Sequence, residues 1–446
     1  MWRIDLGVNI RAGAHYTQVL VYDFDGDGKA EVVMKTAPGT RDSTGALLHT
    51  GPAATDPNPT ADYRSVDNAP GMTGYILTGP EYLTVFDGAT GVELATVNFE
   101  PARGDPLSWG DTYGARVDLF LNSAGFLSDL GIGKPASGRP SILWSRGYYE
   151  RAAITAWNWR DGQLTKIWQV DSSDGIGSNS DLTGQGADSM AMAMDPSGLT
   201  QELIFGAATI ASDGTLKCAT GFGHGTALHV GDLVPSRGGL EVFMPHDNSS
   251  PIFDVRDADT CEVISQGPVL SNPTKRGVAD DVSPLWPGAE AWTSNSGGVV
   301  SATTGQIVDN TFPPTNFLIY WDADELRELE DGTAITKYDG TLLQGCASCA
   351  SNNSTKATPV LTADLFGDWR EEIVWREASN AALRIYTTTD VTTRRLFTLM
   401  HDPQYRMQVT SEQTGYNQPP HPSFHIGNGM VAPPKPNIYY PTGREP

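Results

Sequence analysis

The 446-residue sequence has no apolar run long enough to cross a bilayer, and its first residues, MWRIDLGVNI, do not form an export signal. Basic side chains are scarce: 30 Lys and Arg stand against 53 Asp and Glu, a formal charge of −23. Such a surface repels phosphate backbones, which argues against nucleic acid as a partner. It also repels an acidic polysaccharide unless bound cations or a local basic patch reverse the field. Sustained apolar periodicity of a helical kind is missing, whereas glycine (48) and proline (30) abound. That balance favours many short strands joined by turns. Cysteines are few, and Cys218, Cys261, Cys346 and Cys349 allow two disulfides in three connectivities. The Cys346-Ala-Ser-Cys349 pair has no second CxxC or HxxxH to complete a zinc site, and reads as a small loop disulfide or as free thiols.

What the chain does have is an acidic turn, VYDFDGDGKAEVVM, at 21–34. Asp23, Asp25 and Asp27 alternate, Glu31 follows, and Gly26 and Gly28 let the backbone bend so that the carboxylates converge. This is the pattern of a Ca2+ cage, an ion that takes about six to eight oxygens. The helices and the closing glutamate of an EF-hand are absent. The flanks are rich in Val and Tyr and read as strands, so the loop joins a hairpin.

The unit recurs. VLTADLFGDWREEIVWR places Asp364, Asp368 and Glu372 at the relative positions of Asp23, Asp27 and Glu31. LHVGDLVPSRGGLEVFM carries Asp232 and Glu241, VADDVSPLWPGAEAWTS carries Asp280 and Glu290, and MAMAMDPSGLTQELIFGA a degenerate version ending in Glu202. Hairpins of a second type lie between them: YLTVFDGATGVELATV, ITAWNWRDGQLTKIWQV, IFDVRDADTCEVIS and LRIYTTTDVTTRRLFTLM. Two alternating hairpins make four strands per unit. Asp195, Asp232 and Asp280 are 37 and 48 residues apart, the length of one propeller blade. The expected fold is an all-β propeller forming a single domain over 1–446. WRIDL, at 2–6, looks like the closing strand of a blade whose other strands are missing, so the first blade is expected to be incomplete or closed by the C-terminal PNIYYP.

The motifs RAGAHYTQVLVYDFDGDGKAEVVMKT, GPEYLTVFDGATG, SNNSTKATPVLTADLFGDWREE and YNQPPHPSFHIGNGM, in this order, resemble the rhamnogalacturonan lyases of polysaccharide lyase family 11. The resemblance spans nearly the whole chain. It implies an eight-bladed propeller with several structural Ca2+ ions and a central cleft, secretion, and β-elimination at the rhamnose-α-1,4-galacturonate bond of pectic rhamnogalacturonan I. It also implies sequence ahead of WRIDL, including a small β domain and a first blade. No membrane partner is expected, and the protein is expected to be a monomer.

Elimination at a uronate requires that the carboxylate be neutralised, that a base take the C5 proton, and that the O4 leaving group depart. By resemblance, Lys356 is the base or the neutralising cation, and Tyr416 contacts the sugar or protonates O4. Asn353 and Thr355 resemble the family's substrate-contacting Asn-Gly-Thr, with Ser354 in place of the glycine. His224, His229 and His246 cluster in sequence, and His229 and His246 are expected near the substrate. Arg146, in SRGYYER, is a candidate partner for a galacturonate carboxylate. Two other classes of function fit repeated acidic loops: a Ca2+-stabilised propeller that only binds carbohydrate, and a hydrolase using two carboxylates. A lyase on another rhamnose- and uronate-containing polymer is a further alternative.

Overall fold

The computed structural model describes residues 1–66, 72–110, 116–128, 138–174, 179–247, 251–269, 276–416, 418–433 and 435–436. Within them the strands form seven four-stranded antiparallel sheets arranged as a propeller. The first blade comprises Val19–Tyr22, Glu31–Thr36, Tyr82–Asp87 and Glu93–Asn98, and the second runs from Phe120–Gly125 to Gln163–Asp171. The third to sixth begin at Ala191–Met194, His229–Gly231, Gly277–Asp280 and Phe317–Ile319. Apolar residues alternate along these strands, and each interface between consecutive blades from first to seventh carries its own apolar cluster. Leu20, Val33 and Val85 meet Ile142 and Trp157 between the first two blades, and Ile319 and Ile335 meet Ile373 and Trp375 between the last two.

Several expectations change. The first blade has all four strands; Trp2–Leu6 contributes no strand, only the isolated bridge Asp5–Arg41, while Trp2 and Ile4 pack on the sheet's outer face. PNIYYP lies largely outside the described residues. In the seventh blade only Leu383–Tyr386 of the LRIYTTTDVTTRRLFTLM hairpin is a strand, and the sheet is completed by Cys349–Ala350 instead. Thr387–Thr398 is Thr- and Arg-rich, with little to bury on a sheet face. Between the seventh and first blades there is a cavity of about 720 Å3, lined by Val19, Asn353, Arg376 and Leu383 among others.

The sequence pattern gave no hint of the one α-helix among the described residues, α1 (Pro403–Ser411). It touches the innermost strands of the first, second, third and seventh blades and so occupies the propeller axis. Innermost strands present unpaired backbone groups toward the axis, and a buried segment there must satisfy them. Gln408 Nε2 donates to Val230 O at 2.7 Å, Gln404 Nε2 donates to Met192 O, and Ser411 Oγ accepts from Ala124 N at 3.1 Å. A helix ringed by sheet edges is buried yet polar, and therefore shows no apolar stripe. Its N-terminus is capped by Asp402, whose carboxylate accepts from Gln404 N, with Pro403 in the first turn.

Candidate active site

Antiparallel meanders put loops at two ends. Segments entering the first strand of each blade share one face with the loops joining second to third strands; the acidic loops, between first and second strands, lie at the other. Lys356, His15, Asp188, His224 and Arg276 all lie in entering segments, and Tyr148, Tyr149 and Asp247 in second-to-third loops. They converge at the axial cleft, whereas the acidic turns sit at the far end of the strands.

Lys356 belongs to a single-turn helix, Ser354–Lys356, in which Asn353, Ser354 and Ala357 have φ of 57°, 55° and 50°. Ser354 thus occupies a left-handed conformation that glycine would take without strain. The Asn353 amide donates to Thr358 Oγ1 at 2.8 Å, and Thr355 accepts from Arg276 through its carbonyl and, at 2.6 Å, its hydroxyl. Asn353 and Thr355 therefore shape the loop that holds Lys356. The Lys356 ammonium lies 3.6 Å from the centre of the Tyr416 ring and 3.6 Å from Asp188 Oδ2. Burial pushes its pKa down to about 8, with Arg276 acting in the same direction and Asp188 opposing. Burial raises the Tyr416 phenol, which stays protonated at neutral pH.

Asp188 is the hub of the floor. Tyr149 OH donates to its Oδ1 at 3.3 Å, and His224 Nε2 stands 3.7 Å from it and 3.9 Å from Asp247. His224 Nδ1 lies 2.6 Å from Gly186 O, so it donates there and leaves Nε2 as a buried lone pair without a hydrogen-bond partner. Burial holds this imidazole neutral, at about 4. A lone pair aimed between two carboxylates is a donor set that could accept a cation.

Three expected substrate residues are structural instead. Arg146 is completely buried, donating to Glu81 at 2.6 Å and to the carbonyls of Pro101 and Val117. His246 is equally buried, 2.6 Å from Asp254. His229 is enclosed against His421, Nδ1 to Nε2 at 2.9 Å. Each of these three belongs to or directly follows a strand, which directs it into a blade interface or toward the axis. His224 lies between Gly223 and Gly225 in a loop, and Tyr148 and Tyr149 follow Gly147 at the end of the strand that carries Arg146. Glycine-flanked loop position was the signal that separates them. Arg276 and Asp188 had no motif to mark them.

The acidic loops also differ from one another. Asp23, Asp25 and Asp27 bring carboxylate oxygens within 4.8 Å of one another, as a cation site needs. Glu31 Oε2 accepts from Phe24 N at 2.9 Å and, buried beside these acids, is pushed up to about 7. Asp232 Oδ1 and Glu241 Oε1 are buried without partners, and Glu241 rises to about 8 through burial. Those orphaned oxygens fit a bound cation. The seventh-blade loop is more fully satisfied by protein donors. Asp364 accepts from Gly367 N, Trp369 N, Thr398 Oγ1 and Leu399 N, Asp368 pairs with Arg370 at 2.5 Å, and Glu372 accepts from Leu365 N, Phe366 N and Thr387 Oγ1. Beyond the backbone donors that Asp23 and Glu241 share, Thr398, Leu399, Arg370 and Thr387 occupy further carboxylate oxygens of Asp364, Asp368 and Glu372. A group absent from the expected set, Asp322, Asp324 and Glu328, surrounds the Lys337 ammonium.

The fold and cleft define a β-propeller with cationic and aromatic side chains gathered over an acidic floor at one end of its axis. Comparison with known proteins makes the class specific. The sequence profile of the rhamnogalacturonan lyase family 11 C-terminal domain matches residues 1–436, and the chain belongs to this family. It is 47% identical over 448 residues to the rhamnogalacturonan endolyase YesW of Bacillus subtilis (strain 168), covering 99% of this chain and 68% of that one. With the rhamnogalacturonan exolyase YesX of the same organism it shares 44% identity, covering 98% and 71%. The solved structure of the Bacillus licheniformis rhamnogalacturonan lyase PL11 superposes with a TM-score of 0.89 at 48% identity, covering 99% of this chain and 72% of that one.

Proposed function

We propose that the protein is a rhamnogalacturonan lyase that opens the rhamnose-α-1,4-galacturonate bond of rhamnogalacturonan I by β-elimination. Family membership supports the reaction class, and one observation carries the mechanism: a lysine with its pKa near 8 is packed on a tyrosine, within reach of an arginine, at the floor of the axial cleft. Arg276 pairs with the galacturonate carboxylate. The neutral amine of Lys356 removes the C5 proton, the electron pair forms the C4=C5 bond, and O4 leaves with the proton of Tyr416. The resulting ammonium and phenolate exchange a proton across their contact. A cation held by Asp188, His224 and Asp247 would supply further neutralising charge in the cleft.

Ca2+ dependence is part of the proposal, with Asp23, Asp25, Asp27 and Glu31, and separately Asp232 and Glu241, as the family of sites that the oxygens best fit. Their place at the far end of the strands supports a structural role for these ions. We also place the protein outside the cell, supported by the disulfides Cys218–Cys261 and Cys346–Cys349. The seam between the seventh and first blades suits an eighth sheet: Leu383 and Ile385, on one face of the seventh blade, are 61% and 57% exposed.

The test is the ultraviolet absorbance of the unsaturated product on rhamnogalacturonan. Lys356→Ala is expected to lower kcat about a hundredfold or more, the scale of a lost acid/base group. Lys356→Arg keeps the charge without the base, and should be as inactive. Nearly full activity in Lys356→Ala would remove the lysine from the mechanism. Reducing ends without new absorbance would mean hydrolysis, and binding without cleavage a carbohydrate-binding propeller.

A further inference from the structure

His15 and Tyr148 stand beside the reacting groups and have no part in the scheme above. Tyr148 is 1% exposed, and among the described residues its hydroxyl meets one partner, Nδ1 of His15 at 2.7 Å. A buried phenol must place its proton somewhere. The hydroxyl therefore donates to Nδ1, which puts the ring proton of His15 on Nε2.

That nitrogen takes no protein partner among the described residues, and His15 is only half-buried. Its ring meets the Tyr416 ring edge-on at 4.5 Å, and Lys356 packs on that same tyrosine. The ionic groups that act on His15 are Asp188, Lys356 and His224, so it shares their cleft. Tyr148 in turn stacks on His224, with centroids 5.7 Å apart. Two cations in this cleft, Lys356 and Arg276, draw an anionic group to this point. A neutral N–H beside them adds a donor without adding charge.

We propose that His15 is a further substrate-contacting residue: its Nε2–H, fixed by the Tyr148 hydroxyl, donates a hydrogen bond to a carboxylate oxygen of the bound uronate. The inference rests on the lyase reading of this cleft. As the C5 proton leaves, charge moves into the carboxylate, and a donor already aimed at its oxygen strengthens in the transition state. His15 neither gains nor loses a proton, and Tyr148 is a positioning residue.

The test has a kinetic and a spectroscopic arm. His15→Phe should lower kcat about a hundredfold, the scale for one lost donor at a developing oxyanion, with KM changed far less. His15→Gln, which can restore an N–H, should recover part of that loss, and Tyr148→Phe should fall between His15→Phe and the unaltered protein. In 1H–15N spectra of the imidazoles, assigned by the signal lost in His15→Gln, His15 should be protonated on Nε2, and titration with galacturonic acid should shift that nitrogen. Tyr148→Phe should convert the ring to a mixture of tautomers. Activity of His15→Phe within about twofold of the unaltered protein overturns the proposal, as does an Nδ1-protonated ring or an Nε2 signal indifferent to galacturonic acid. Failure of the unaltered chain to produce unsaturated ends would instead defeat the lyase reading, and the spectra would still decide His15.

Discussion

Glu81 offers a sharp test of how the propeller is held together around the misassigned Arg146. Its carboxylate lies 2.8 Å from Lys35, 3.0 Å from Arg103 and 2.6 Å from Arg146, with all four side chains no more than 7% exposed. Burial alone would raise the Glu81 pKa, but the three cations, Arg146 foremost, hold it at about 2, below the usual 4.5. A depressed folded-state pKa contributes stability that is complete above the unfolded value and lost as pH falls through the folded one. This depression amounts to about 3 kcal/mol at pH 7, roughly a third to a half of which is gone at pH 3.5. Glu81→Gln should therefore lower stability at pH 7 by about 3 to 5 kcal/mol, since it strands buried cations. The deficit should narrow between pH 4.5 and 3.5. Urea unfolding followed by tryptophan fluorescence at both ends of that range measures it. Equal midpoints at pH 7, or a deficit that stays constant with acidification, would refute the reasoning.

Three further outcomes follow from other parts of the molecule. If Lys356 acts as a neutral amine, kcat/KM should rise about tenfold per pH unit below its value of about 8 and level above it, and Lys356→Ala should lose that limb; a flat profile from pH 6 to 9 would point to another base. Chelation should lower the melting temperature and Ca2+ restore it, with Asp25→Ala reducing the Ca2+ response and Asp368→Ala leaving it intact, because Asp368 is paired with Arg370; calorimetry with and without chelator reads both. Replacing Cys218 and Cys261 by serine opens a link spanning 43 residues and should cost about 4 kcal/mol, measured by chemical denaturation, if chain entropy dominates.

The sequence alone determined what depends on neighbours along the chain. Alternating apolar residues and acidic turns define hairpins locally, so the four-stranded unit, its repetition and the clustering of Asp23, Asp25 and Asp27 were legible, as were the motifs around Lys356 and Tyr416. The helix α1 was not, because its environment is a ring of sheet edges contributed by four blades, three of them hundreds of residues away. Glu241 and Glu372 occupy the same place in the repeat and each takes two backbone N–H groups on Oε2, yet only the tertiary structure decided that Oε1 of Glu241 stays buried and open while Oε1 of Glu372 accepts from Thr387. The same holds for His224 against His229 and His246, and for Tyr148 against Arg146. Spacing along a strand or turn sets which way a side chain starts, but the partners that desolvate, neutralise or expose it come from other blades. Those partners decide which polar residues hold the fold and which are left to meet a substrate.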